Sequence, residues 1–251
     1  MANPPIVVEI CVDSVESAVA AEQGGAHRVE LCSSLIEGGI TPSSGLIAQV
    51  RNRISISLHV LVRPRGGDFC YGDDELLVMR QDVLTAKDLG ADGVVLGILS
   101  EDGSVNGEQA RRLAELAKPM HVTFHRAIDM SKDMSQSLED VIATGAERVL
   151  TSGGEETAVA GAEMIRKLVR QAGGRIAVMA GSGINRTNLC ELIAKTGVRE
   201  VHASLRTTLP SRMRHRNERV SMGAIAGLEY ERRVVMKERV AQLLEAARDS
   251  V

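Results

Sequence analysis

The chain has 251 residues, a formal net charge of −3 and 44% hydrophobic residues, enough apolar material for one large core and no general pull toward nucleic acid or an anionic membrane. With two Phe, two Tyr and no Trp it has no aromatic platform on which single-stranded nucleic acid would stack. No apolar run reaches the roughly 20 residues of a membrane span, and its four cysteines show no close pairing, which fits a reducing compartment.

The first strand-like run covers residues 6–11, and Asp13-Ser14 caps a helix over 15–23. Gly25-Ala26 then opens a second strand that ends at Cys32. Thr41-Pro42-Ser43 begins the next helix, with proline suited to a first turn, and a third strand spans 55–63. Asp73-Asp74-Glu75 places negative charge at the start of a third helix, and Gly90-Ala91 leads into a strand over 93–97. A helix over 106–117, a strand over 121–126 and a helix over 135–144 follow. Gly145-Ala146 introduces the strand to Ser152, and a helix over 158–171 precedes the strand over 175–180. A helix over 185–195 and Gly197-Val198 lead to the last strand, which ends at Ser204. After a long irregular stretch over 206–233 comes a final helix over 234–248.

The phrase glycine, small apolar residue, then strand therefore occurs four times, and four further strands lie between the copies. Eight strands alternating with helices define an α/β chain, a parallel (β/α)8 TIM barrel in a single domain over 1–251, a fold that typically needs about 250 residues. Such barrels carry their functional groups at the C-terminal ends of the strands. Met1–Pro5 has no basic-then-apolar signal layout, so a cytoplasmic protein is expected, with no membrane or nucleic-acid partner.

Residues two apart on a strand share a face, which puts Val7, Glu9 and Cys11 together, Glu30 with Cys32, and His59 with Leu61 and Arg63. These polar faces belong inside the barrel. Superposing the four phrases puts Glu30, Val95, Leu150 and His202 in one layer and Cys32, Gly97, Ser152 and Ser204 in the next. The small residues of the second layer leave room for a ligand above Glu30 and His202.

Cys11 and Cys32 end neighbouring strands, about 4.8 Å apart in such a sheet, so their thiolates can reach one ion. Two soft thiolates suit Cu(I) better than tetrahedral zinc, although buried cysteines also serve simply as packing. Arg63-Pro64-Arg65-Gly66-Gly67-Asp68 makes an anion cradle, or else a surface loop whose arginines pair with nearby acids. His125 ends its strand as a candidate acid, base or ligand, with Asp129 or Glu9 to orient it. Arg126, Ser152, Gly181 and Gly183 complete a binding rim, the two glycines in the loop after strand seven, where barrels often hold phosphate. Arg206, Arg212, Arg214, Arg216 and Arg219 gather with His215 as a lid, an interface or a solvated face.

The segments Glu9-Ile10-Cys11-Val12-Asp13-Ser14, Arg28-Val29-Glu30-Leu31-Cys32, Glu37-Gly38-Gly39-Ile40-Thr41-Pro42-Ser43, 63–69, 123–127 and 150–153 resemble the CutC copper-homeostasis family, a likeness that runs from Val8 to about Gly223. The resemblance implies a cytoplasmic TIM barrel, usually a homodimer, linked to copper tolerance, with Cu(I) ligands matching Cys11 and Cys32. The family usually has an aromatic residue at the place of His215. A second reading is an enzyme of the isomerase, epimerase, lyase or hydrolase class. It would act on a small anionic substrate through Glu9, Glu30, Arg63, Arg65, Asp68, His125, Asp129 and His202, with or without a divalent metal.

Overall fold

Gly25, Gly90, Gly145 and Gly197 all hold left-handed φ angles, between 77° and 91°, in the computed structural model, which describes residues 5–222 and 227–250. Each follows a helix and turns the chain toward a strand, a conformation that strains any residue with a Cβ. The resulting order is β1 (Val7–Val12), α1 (Val15–Gln23), β2 (Arg28–Leu31), α2 (Ser44–Arg51), β3 (Ser57–Leu61) and α3 (Asp73–Asp88). It continues with β4 (Gly93–Leu96), α4 (Gly107–Ala117), β5 (His121–Phe124), α5 (Met134–Ala143), β6 (Arg148–Thr151), α6 (Ala162–Ala172), β7 (Ala177–Gly181), α7 (Leu189–Thr196) and β8 (Glu200–Ala203). Each strand pairs in parallel with the next, and β1 also pairs with β8, so the sheet closes into the expected barrel.

The helix starts are set by caps rather than by where apolar periodicity begins. Ser14, Ser43, Asn106 and Asp133 each accept a backbone N–H of the first helical turn. Pro42 therefore lies before the cap of α2 and not in its first turn. The helix expected from residue 158 starts at Ala162, and the one expected from 185 starts at Leu189. In both cases an ordered turn occupies the residues between strand and helix.

Strand parity places Ile6, Val8, Ile10, Val12, Val29 and Leu31 in the large core between barrel and helices. Cys11, Cys32, Leu61 and Val95 form a separate small cluster inside the barrel. The interior is otherwise polar to an unusual degree. Glu9, Arg28, Glu30, His59, Thr123 and His125 are all buried there, and each needs a partner to offset the cost of leaving water.

The stretch 206–233 is not the irregular loop its composition suggests. Arg206–Pro210 forms β9 and Glu231–Val235 forms β10, an antiparallel ribbon with Arg206 opposite Val235 and Leu209 opposite Arg232. Val234 and Val235 are buried, and Val235 donates its N–H to Ser17 Oγ of α1. The last helix, α8 (Lys237–Arg248), consequently starts after Val234 instead of at it. Residues 223–226 of the stretch, and the N-terminal residues 1–4, lie outside the described residues. No helix among the described residues is long and apolar enough to cross a membrane.

Candidate functional site

The barrel floor is an ion-pair network that ties four strands together. Arg28 on β2 pairs with Glu9 on β1 and, at 2.8 Å, with Glu200 on β8, while Glu200 also pairs with Arg148 on β6. These groups alternate in sign; Glu9 and Arg28 are buried and Arg148 and Glu200 partly so, and each charge has its counterion within reach. Burial alone would raise the pKa of Glu9, but the Arg28 guanidinium and His202 outweigh it and hold the carboxyl well below its usual range.

Above that floor, Glu9 Oε1 lies 2.7 Å from His202 Nδ1, and His202 Nε2 lies 3.8 Å from Glu30 Oε2. The imidazole sits between two carboxylates. Burial opposes its charge, yet Glu30, the Cys11 contact and Glu9 together raise its pKa well above the ordinary value. These neighbours favour the charged form of the ring. Burial, reinforced by the charge of Glu9, raises the pKa of Glu30 against the pull of His202.

Cys11 and Cys32 face each other across β1 and the end of β2 with Sγ···Sγ at 3.5 Å. Both are free thiols and both are buried. Their mutual contact, then burial, pushes the Cys11 thiol up. Donor atoms of Cys11, Glu30 and Cys32 lie within 4.8 Å of one another, as do those of Glu9, Glu30 and His202. Gly39 closes the site from above, since a Cβ there would stand 2.8 Å from Leu61 and 3.5 Å from Cys32 Cβ.

Cys11 and Glu30 open onto a cavity of about 420 Å³ at the C-terminal mouth, which His202, Arg63, Phe69 and His125 also line, while Cys32 and Glu9 lie buried behind it. Ser182 and Gly183 of the β7 loop and Ser204 after β8 form its rim. Ser182 and Leu205 hold positive φ angles of 83° and 47°, local strain of a kind that concentrates around functional loops.

The other expected residues fall in different places. His125 is oriented by neither Asp129 nor Glu9: its Nδ1 accepts the Ala127 N–H, and its ring fills the space that Gly97 leaves. Asp129 instead accepts from Thr151 Oγ1, from the Ser152 and Gly154 N–H groups and from Ser152 Oγ, and pairs with Arg126 at 2.8 Å, fixing the β6 loop. Ser152 and Arg126 are thus tied to that knot. Arg65 pairs with Asp68 and Glu75 and lies over Tyr71, on the outer side of the β3 loop. Gly181 brings β7 close to Leu150 and His202, where a Cβ would meet Leu150 Cδ1 at 2.5 Å. Cys70 is half-buried and Cys190 exposed on α7. Of the basic residues after β8, Arg206 reaches the mouth and pairs with Asp13 at 3.4 Å, and Arg216 lies over Tyr230.

Arg28, Arg148 and Glu200 were not anticipated as site residues. The signal was available: each lies two positions before a residue assigned to the interior, Glu30, Leu150 and His202.

These features define a closed parallel β/α barrel with a thiol- and carboxylate-bearing mouth. The CutC family model matches residues 6–207, and the chain belongs to that family. A CutC family protein of Chromobacterium violaceum is 48% identical over 240 residues, covering 96% of this chain and 97% of its own. The mouse protein described as a copper homeostasis protein cutC homolog is 48% identical over 244 residues, covering 97% of this chain and 90% of its own. A crystal structure of a putative copper homeostasis protein CutC from Streptococcus agalactiae superposes with a TM-score of 0.75 at 33% identity, over 79% of this chain and 98% of that one.

Proposed function

We propose that the protein acts in copper homeostasis and binds Cu(I) through Cys11 and Cys32. The observation that carries this reading is the pair of free thiols 3.5 Å apart at the C-terminal mouth of the barrel, on residues 21 positions apart in sequence. Thiolates select soft, monovalent copper over hard cations. The names of the mouse and Streptococcus agalactiae relatives, which mention copper homeostasis, support the same direction. A straight S–metal–S arrangement, at about 2.3 Å per bond as for zinc, would need sulfurs about 4.6 Å apart. At 3.5 Å the two sulfurs suit a bent arrangement.

Glu9, Glu30 and His202 form a second cluster of donor atoms within 4.8 Å of one another, in which Glu9 also pairs with Arg28. The reading includes a cytoplasmic location and a homodimer, for which the family resemblance is the support.

An anaerobic titration with Cu(I) against a competing chelator tests the proposal. One equivalent bound tightly by the parent protein, and lost in Cys11→Ser and in Cys32→Ser, is the expected result. Weak binding that ignores both substitutions would remove direct copper chemistry from the site.

A further inference from the structure

The end of β3 carries into the mouth a buried cation with no counterion among the described residues. Arg63 is only 5% exposed, yet among the described residues it has no carboxylate partner. Its guanidinium donates instead to the carbonyls of Glu37, Gly39 and Gly67 and rests 4.9 Å from the Phe69 ring centroid. The other arginines of the mouth differ in this respect: Arg126 pairs with Asp129 and Arg206 with Asp13. So do the arginines of the barrel floor, Arg28 and Arg148, which share Glu200. A buried charge without a counterion is costly, and the fold elsewhere avoids it.

His125 stands beside this cation as a donor without an acceptor. Because its Nδ1 accepts the Ala127 N–H, the proton of the neutral ring resides on Nε2. Burial, and then the charge of Arg63, depress its pKa to about 3, so the ring stays neutral and the Nε2–H is a permanent donor. That atom is buried and has no hydrogen-bond partner. The Phe69 ring lies 4.9 Å from the His125 ring as well as from Arg63, and all three residues line the same cavity.

We propose that the space between Arg63 and His125 is a subsite for the oxyanion of a small ligand, a carboxylate or a phosphate monoester, reached when the Phe69 ring turns aside. The oxyanion supplies the missing counterion to Arg63 and accepts the Nε2–H of His125. A cavity of about 420 Å³ leaves room for a short carbon skeleton extending toward Glu30 and the rim of Ser182 and Gly183. The subsite is independent of copper binding: its groups do not include the thiols, and either can fail without the other.

The test follows the His125 Nε2–H resonance of the whole protein during titration with inorganic phosphate and, separately, with glycolate, up to about 10 mM, tenfold above a Kd of about 1 mM. A saturable shift with phosphate assigns a phosphate ligand, and one with glycolate assigns a carboxylate. No shift with either overturns the proposal. His125→Phe and Arg63→Met, read from the backbone amide shifts of Phe69 and Ala127, should each weaken the binding about tenfold or more, the loss of one hydrogen bond to a charged group. Unaltered affinity in a folded variant would also overturn it. Arg63→Met removes bonds to three loop carbonyls, so His125→Phe, which leaves that loop intact, keeps the test open should the first variant not fold. Cu(I) uptake by His125→Phe should match that of the parent.

Discussion

Replacing Glu9 by glutamine probes the charge network beneath the mouth. Glu9 is fully buried, pairs with Arg28 and accepts from His202 at 2.7 Å, so the amide strands two cations in the barrel interior. Removing one partner of a buried pair costs about 3–5 kcal/mol. Arg28 retains Glu200 at 2.8 Å and His202 retains Glu30, which puts the expected loss near the lower end, about 3 kcal/mol. For a domain of this size each kcal/mol moves the thermal midpoint by about 2–4 °C, so scanning calorimetry should show a fall of about 6–12 °C. The pKa of His202, followed by NMR, should fall in Glu9→Gln. A midpoint within about 2 °C of the parent, less than the shift expected from 1 kcal/mol, would refute the view that these charges hold one another in place.

Acid should weaken the fold through two buried histidines. Burial depresses the pKa values of His59 and His125 to about 3, so below about 6.5 the unfolded chain binds protons that the fold refuses. Stability should then fall with pH from about 6.5 downward by up to about 1.4 kcal/mol per unit for each histidine, with a shallower slope in His125→Phe. His202, whose pKa is raised, is charged in both states in that window; its contribution is lost instead as pH rises above 6.5. Gly97→Ala places a Cβ 2.5 Å from the His125 ring and 2.9 Å from Ala127 Cβ, and denaturant unfolding should show a loss of about 1–3 kcal/mol together with a displaced His125 signal. Asp129→Asn weakens the acceptor shared by Thr151, Ser152 and Gly154 and should cost about 2 kcal/mol, with faster amide exchange across the β6 loop.

The layout of strands and helices was legible because it is written locally, in glycines that end helices and in runs of alternating residues. Parity alone brought Glu9, Cys11, Glu30, Cys32 and His202 to one space, since each faces inward once the barrel closes. What parity could not supply was compensation. That Glu9 is neutralised by Arg28, or that Asp129 serves the β6 loop and not His125, depends on register between strands far apart in sequence. The ribbon of β9 and β10 was hidden for the same reason: its partners pair across an intervening loop, and the arginines flanking Val234 and Val235 mask an otherwise β-branched run. His125 was singled out for its position at a strand end, but its neutral, unpartnered Nε2–H arises from burial and then from Arg63, both of which only the folded chain supplies.

Copper K-edge X-ray absorption on the Cu(I)-loaded protein addresses the thiol pair most directly, because it counts the sulfur atoms bound to the metal. Two sulfur neighbours per copper in the parent, and no two-sulfur copper signal in Cys32→Ser, is the result expected from Cys11 and Cys32 acting together. Copper surrounded only by nitrogen and oxygen, or a sulfur count unchanged by the substitution, would contradict it.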